Sequence, residues 1–598
     1  MTAIRKRLRA VAARHDLTTV IACAFDYRTR MLPFILADRR MVPAGVRAIG
    51  ATMVDAGFVK TRIVLQQWCR RFRPSLMRLD GRIPDLFMVS SMQIHYAQAK
   101  ALIRDACRID PSHRPLIIAG GPKAIYEPWD FFSADADDPA GADVAVTGEV
   151  YVLLALLEVL LAIRSGSESL RTTFIRARNS GILDDIPGLV FARTDDRGRA
   201  VELIDTGIQR LVEDLDEMAH PAPGYRILEP PGTKATLSAR PLSAGQVHRC
   251  SPLGAIVLTL GCKFGCPYCP IPAYNQRRYR TKSGPRIADE MVRLHREFGL
   301  RFFFGADDNF FNDKERTLEI VETLARTQVD GVDLRHRARW GTEVTVHDTL
   351  RMKDHLRTVR KAGVRALWLG VEDMTGTLVK KGQSVDKTTE AFRLLRQRGI
   401  LPMPMMMHHD SQPLYTRNGH YGLLNQVKLL RKAGAVSLQV LMITPSPGSK
   451  IFDETFTSGM MYESVAGRRV EQYMIDGNYV VASNHKKPWR KQLNILLAYL
   501  YFYNPLRFFF AMVRPKSRLY LPDAGMQLIG MWGLAHTIRR TFGWMLGLMR
   551  GKIKRRTSPP VSRIPMRSAE HTPAAHALAG TPVPEGMQVP SGNGATVT

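Results

Sequence analysis

Apolar and polar positions follow two successive rhythms along this chain. In the first quarter, short aliphatic or β-branched runs at residues 18–25, 61–66, 85–90, 115–119 and 143–146 are separated by stretches of helical periodicity, at 42–57 and 96–109. Strands punctuated by helices predict a parallel sheet covered on both faces, over residues 1–164. Such sheets bind ligands at the carboxyl ends of their strands, where glycine lets the backbone come close. Gly120 and Gly121 end one run, and Gly148 and Glu149 follow another, so these four are candidate cofactor contacts.

Periodicity weakens over 165–250, which reads as a connector with one small hairpin near 195–198 and prolines that stop any helix. A longer strand–helix series fills 251–484. Strands are expected at 255–260, 301–305, 335–340, 366–370, 402–408 and 438–444, with helices at 287–297, 314–326, 350–361, 387–398 and 422–433. Six repeats with right-handed crossovers predict a partial, open (β/α)6 TIM-like barrel with functional groups just beyond the strand ends. The fold class is therefore α/β with a mainly α-helical extension at 485–556, where aromatic and aliphatic faces alternate with Lys/Arg clusters as in interfacial helices. Residues 557–598, rich in Pro, Ala, Ser and Gly, are expected to be disordered.

Composition narrows the classes. The 598 residues are 45% hydrophobic and 23% charged, which argues against wholesale disorder, a collagen-like repeat and a polytopic membrane protein. Seven cysteines cannot form a disulfide framework in so long a chain, and their odd number points to a reducing, cytoplasmic setting. Neither a secretory signal nor an uninterrupted apolar stretch of spanning length is expected. The net charge of +30 is uneven: residues 486–556 hold 15 Lys/Arg and a single acid, Asp523. With no zinc-finger, RRM or helix–turn–helix pattern, nucleic acid is the poorer partner. An anionic membrane surface fits better, with the protein peripheral on the inner face and Phe508 to Phe510, Trp532 and Trp544 able to insert. A helical domain packed over the barrel with a basic solvent face is the plainer alternative. Membrane attachment would suit a lipid or isoprenoid-like substrate.

The sharpest motif is LTLGCKFGCPYCPIP. Cys262, Cys266 and Cys269 share a C-x3-C-x2-C loop directly after the first barrel strand. Three thiolates on one short loop serve a soft metal centre. Zinc in a structural site takes four ligands, and Cys250 is the only further candidate nearby. A four-iron cluster held by three cysteines would leave one iron free to bind another ligand.

This loop, with Tyr268 before the last cysteine, resembles that of the radical S-adenosylmethionine (SAM) superfamily. In that family a [4Fe-4S] cluster chelates SAM and, once reduced, cleaves it to methionine and a 5′-deoxyadenosyl radical. FFGADDNFFND, carrying Asp307, Asp308, Asn309 and Phe310, resembles the second-strand segment of the cobalamin-associated branch. LWLGVEDMTGTLVKKGQ resembles the fourth-strand segment, in which Glu372 would contact SAM and Lys380 or Lys381 would follow. ITPSPGSKIF resembles the sixth-strand segment, with Ser449 in place of the usual Thr. Four amino-terminal stretches resemble that branch's Rossmann-like cobalamin-binding domain, although no D-x-H-x-x-G motif is present, which leaves the cobalt ligand unassigned; His95 is one candidate.

The resemblance implies cobalamin-dependent methyl transfer to an unactivated carbon, with a low-potential donor such as flavodoxin or ferredoxin. Radical rearrangement, cyclisation or oxidation is the alternative within the enzyme class, and a membrane-associated scaffold with a structural cluster lies outside it. Glu343, like Glu372, is a candidate for binding SAM amino or ribose hydroxyl groups. Asp307 and Asp308 would either contact SAM or cap the following helix. His408 and His409 end a strand and are the catalytic candidates, whereas Met405 and Met407 are expected to fill the barrel.

Overall fold

The computed structural model describes residues 1–29, 37–135, 137–138, 140–209, 211–232, 234–513 and 520–569. Strands Thr19–Cys23, Thr61–Leu65, Leu86–Ser90, Leu116–Gly120 and Val144–Val146 form a parallel sheet in which Thr19–Cys23 lies between Thr61–Leu65 and Leu86–Ser90. Nearly every residue of these strands is buried, as their continuous apolar sequences require. Helices Ala44–Asp55 and Tyr96–Ala106 pack against the sheet.

Three further strands extend it beyond the expected domain limits. Leu189–Thr194 pairs antiparallel with Val144–Val146 and with Ala200–Asp205, so the hairpin assigned from sequence to the connector belongs to this sheet. Met566–Ser568 then pairs parallel with Ala200–Asp205. Residues 557–569 are thus ordered where the sequence predicts a disordered tail: Ile564 is buried, Leu203 donates its N–H to the Pro565 carbonyl at 2.8 Å, and Arg567 pairs with Glu202. An exposed hairpin edge offers free N–H and C=O groups, and this segment uses them. The rest of the expected tail, 570–598, lies outside the described residues.

The second sheet contains six parallel strands, Leu253–Ile256, Phe302–Gly305, Arg339–Thr345, Val364–Glu372, Leu401–His408 and Gln439–Met442, each paired with the next. It is the partial barrel expected. The third strand lies later than its sequence assignment, because Leu334–Arg337 forms a helical turn and burial of Trp340, Thr342 and Val344 sets the strand after it.

A barrel left open has two unpaired edges, and side chains finish both. On the first strand, Ala255 N–H donates to Tyr225 Oη at 3.1 Å, and Arg47 Nη2, from the amino-terminal unit, donates to the Ala255 carbonyl at 2.8 Å. On the last, the hydroxyls of Tyr499 and Tyr503, one turn apart on helix Pro488–Phe502, extending to Tyr503 at its cap, each accept from and donate to one backbone residue, Val440 and Leu438. Tyr503→Phe leaves both Leu438 groups buried without partners, and a loss of about 1–3 kcal/mol is expected. A urea midpoint that does not move would refute this role.

Helices Pro488–Phe502, Pro505–Val513 and Tyr520–Arg550 complete the described chain on that side. Trp544, expected from sequence to insert into a membrane, is instead core: it is 1% exposed and its indole N–H donates to the Val480 carbonyl at 3.0 Å. Among the described residues no helix is long and apolar enough to cross a membrane.

Candidate active site

Just beyond the first barrel strand, Thr259–Leu260 and Arg280–Thr281 form a short antiparallel ladder that closes off the cysteine loop. Gly261 opens the loop at φ 95°, and a Cβ there would lie 2.0 Å from the Arg278 carbonyl oxygen, so no side chain fits. Its N–H donates to Asp308 Oδ2 at 2.6 Å. Lys263 ties the next turn down through Asn312 and through Asp348, 2.5 Å from its Nζ. Cys266 is the most enclosed of the three thiols, 6% exposed, and the Cys269 N–H closes a turn onto its carbonyl at 3.1 Å.

Burial raises the Cys262 and Cys269 thiols, Cys269 to about 12, and the neighbouring sulfurs add to both shifts. Thiolates gathered here therefore need a cationic partner, and an iron–sulfur cluster supplies one. Cys250, the one possible fourth zinc ligand, lies at the end of helix Ala244–Cys250, close enough to Cys69 to influence it. Among the described residues no three His, Cys, Asp or Glu side chains are grouped as a single-ion site. Beside the loop the buried Ser449 Oγ lacks a hydrogen-bond partner among the described residues, as a group awaiting a ligand would. Within the loop the Tyr268 hydroxyl is raised by burial and by Glu372 and Cys266, which it adjoins. The segment after the sixth strand reaches the loop through Ile451 N–H, which donates to the Pro267 carbonyl.

The four candidate carboxylates differ in their commitments. Asp307 is wholly engaged: Oδ1 accepts from the N–H groups of Leu258 and Thr259 and from the Thr259 hydroxyl, and Oδ2 accepts from Thr342. Burial raises it to about 6 against these bonds, and it clamps the backbone before the cysteine loop. Asp308 does the same for Gly261 and also accepts from Asn275. Glu372 sits in the left-handed region at φ 56°, at a shift in strand register, and pairs with Lys381 at 2.8 Å. Lys381 also lies near Cys266; although burial lowers it, Glu372 and Cys266 leave it raised. Of the two lysines expected after this strand, Lys380 is exposed.

Glu343 accepts no side-chain hydrogen bond among the described residues. Burial first, then Asp308, Asp307 and Glu372, push it to about 8 from an ordinary 4.5. The folded protein thus keeps a proton that the unfolded chain has lost. This stability is full below about pH 4.5 and is lost as pH rises through about 8. In protein without cluster, unfolding free energy should fall with pH across that window by up to about 1.4 kcal/mol per unit, and Glu343→Gln should flatten the slope. Equal slopes in urea titrations of both proteins would contradict this.

Parity separates His408, but not His409, from the barrel interior. His408 points outward, fully buried, with Nδ1 2.8 Å from Gln412 Oε1 and Nε2 3.2 Å from Asn494 Nδ2. Burial lowers it to about 3, and with both nitrogens used it is a structural bridge rather than the proton-handling group expected. His409 bonds Ser411 through Nδ1 while Nε2 is free, and burial lowers it as well. Phe304, Trp368, Met405 and Met407 alternate with fully buried neighbours and face the lumen, where Phe304 and Trp368 meet edge to face at 5.1 Å.

At the carboxyl end of the first sheet, Ile21, Met88, Ile118, Gly120, Gly121 and Gly148 line an apolar cavity. A Cβ on Gly120 would meet only the Val146 carbonyl, at 4.0 Å, so this face is open to a ligand, and Gly121 at φ 86° is packed against Ser91. Glu149 is used otherwise: it accepts from Arg280 at 2.7 Å and from Val212 N–H at 2.7 Å, joining the sheet to the ladder under the cysteine loop. His95 Nδ1 accepts from Asp26 N–H at 3.1 Å, so the neutral ring carries its proton on Nε2 and offers no lone pair there. Sequence reading missed Tyr126, whose hydroxyl donates to the Pro270 carbonyl at 2.9 Å from the helix just after Gly121. It also missed Asp373, whose five hydrogen bonds hold it low against burial and shape the loop carrying Lys381.

Residues 256–411 match the model of the radical SAM superfamily. The chain is 23% identical over 479 residues to an anaerobic magnesium-protoporphyrin IX monomethyl ester cyclase of Synechocystis sp., covering 77% of this chain and 82% of that protein. It is 29% identical over 152 residues to a hopanoid C-3 methylase of Methylococcus capsulatus, covering 25% of this chain and 27% of that protein. Among solved structures, the radical SAM methyltransferase TsrM from Kitasatospora setae, with cobalamin and a [4Fe-4S] cluster bound, superposes with a TM-score of 0.56 at 15% identity, over 86% of this chain and 98% of that one. This chain therefore carries a radical SAM domain, and it shares the fold of that methyltransferase.

Proposed function

We propose that this enzyme transfers a methyl group to an unactivated carbon of an apolar substrate, lipid or isoprenoid-like, in a cobalamin-dependent radical SAM reaction, and that it works peripherally at the inner face of the membrane. When bound, the cluster would supply the electron that cleaves SAM, drawn from a donor such as flavodoxin or ferredoxin, and cobalamin would carry the methyl group. The protein's part is positional. Cys262, Cys266 and Cys269 hold the cluster, while Glu372, oriented by Lys381, accepts from the SAM ammonium group. Ser449 offers an uncommitted hydroxyl at the same mouth, and Tyr268 adjoins Glu372 there. Phe304, Trp368, Met405 and Met407 keep the lumen dry and receive an apolar substrate, which protects a primary-carbon radical from stray hydrogen donors.

One observation carries the reading: Tyr126 and Glu149 fasten the glycine-lined cavity directly to the cysteine loop, so two cofactors would face one space. The likeness to a hopanoid methylase supports the substrate class. Anaerobically reconstituted protein given cobalamin, SAM and a reductant should form both 5′-deoxyadenosine and S-adenosylhomocysteine when its substrate is present. The long match to a cyclase favours a second reading, a radical cyclisation or oxidation. In that case 5′-deoxyadenosine would form without S-adenosylhomocysteine.

A further inference from the structure

Helices Pro505–Val513 and Tyr520–Arg550 lie against each other, and the long one is apolar on two faces. One face, with Leu534, Thr541, Trp544 and Leu548, is buried against the protein, and at Gly530 the helix approaches so closely that a Cβ would lie 2.2 Å from the Tyr503 ring. The other stripe is bare: Leu528, Trp532 and Phe542 are 49–56% exposed. Leu506, Phe509 and Phe510 of the short helix add exposures of 52–70%. Scattered apolar residues need no explanation, but a band of aromatic and aliphatic side chains over two adjoining helices does.

Charge identifies what covers it. The single acid of this region, Asp523, is neutralised by Arg431 at 2.7 and 3.0 Å. Arg539, Arg550 and Lys552 are exposed and have no carboxylate partner among the described residues. A second copy docking here would bring one basic rim against another. Nucleic acid would match the rim but not the aromatic band. We infer that the hairpin is a monotopic insertion face that seats on a bilayer rich in anionic phospholipid, its aromatic residues entering the headgroup boundary while its cations meet lipid phosphates. Among the described residues no helix is long and apolar enough to span. This rests on the peripheral attachment proposed above and is independent of the reaction.

Flotation of the full chain with vesicles of phosphatidylglycerol in phosphatidylcholine, and with phosphatidylcholine alone, tests the inference. Binding to the anionic vesicles should exceed that to neutral ones by roughly fivefold for each cation engaged, and should weaken with salt. The variant Phe509→Ser/Phe510→Ser/Trp532→Ser alters only exposed positions. It should bind about tenfold more weakly or worse, while its thermal midpoint and reductive SAM cleavage in detergent stay unchanged. Arg539→Gln/Arg550→Gln/Lys552→Gln should lose the preference for anionic lipid and most of the salt dependence. The inference is overturned if wild-type protein ignores anionic vesicles or if the triple aromatic variant floats as well as wild type. A wild-type dimer that the aromatic variant dissolves, without vesicle binding, would make the face a contact between copies instead. Intact flotation with no SAM cleavage would sink the proposed reaction alone.

Discussion

Cys266→Ala is expected to purify without iron or acid-labile sulfide and to lose reductive SAM cleavage by about three orders of magnitude or more, to the floor of the assay. Cys266 is the most enclosed of the three thiols and lies next to Lys381, the partner of Glu372, so its removal takes away both a ligand and the centre of the local charge arrangement. Two remaining sulfurs cannot hold a four-iron cube that must also present an open iron. Cys250→Ala serves as the control. Its thiol is beside Cys69 rather than in the loop, and its iron content should match wild type. The opposite result, with iron retained at Cys266→Ala and lost at Cys250→Ala, would remove the site described here.

The second large effect is expected at the join between the two sheets. Arg280 and Glu149 are both nearly enclosed, with side chains 5% and 10% exposed, and Arg280 also donates to the Val212 carbonyl at 2.5 Å and to Asn275 at 3.2 Å. Arg280→Met leaves the Glu149 carboxylate buried with only the Val212 N–H to meet it. The cost should be about 3–5 kcal/mol, read from the first unfolding transition in urea. Most of it should return in the double variant Glu149→Met/Arg280→Met, since the loss comes mainly from the stranded charge. Because Arg280 sits in the ladder that closes the cysteine loop, the single variant should also take up less iron on reconstitution. A midpoint close to wild type would mean that water reaches this pair and that the two units are joined elsewhere.

What could be read from sequence follows the range of the interaction. The cysteine spacing, the strand–helix alternation and the glycine-ended strands are local signals, and the chain folds as they indicate. His408 was within reach too: in a strand where Met405 and Met407 face inward, period two turns residue 408 outward. Asp307 and Asp308 read alike in sequence, yet one clamps the Leu258–Thr259 backbone and the other Gly261. Tyr126, Arg47 and the Arg280–Glu149 pair acquire their roles only where the two sheets meet, and no pattern within either stretch announces a partner in the other. The strand Met566–Ser568 was hidden by its prolines, which speak for an irregular tail but do not prevent a short edge strand.

That last strand has a temporal meaning. Arg567 and the residue it pairs with, Glu202, are 365 positions apart, so the hairpin edge is made long before its cover. At about 5–20 residues per second, a ribosome needs roughly 20 to 70 seconds to supply the missing piece. Through that interval the nascent protein carries a ready template for pairing with a neighbour on the same message, until the covering strand arrives.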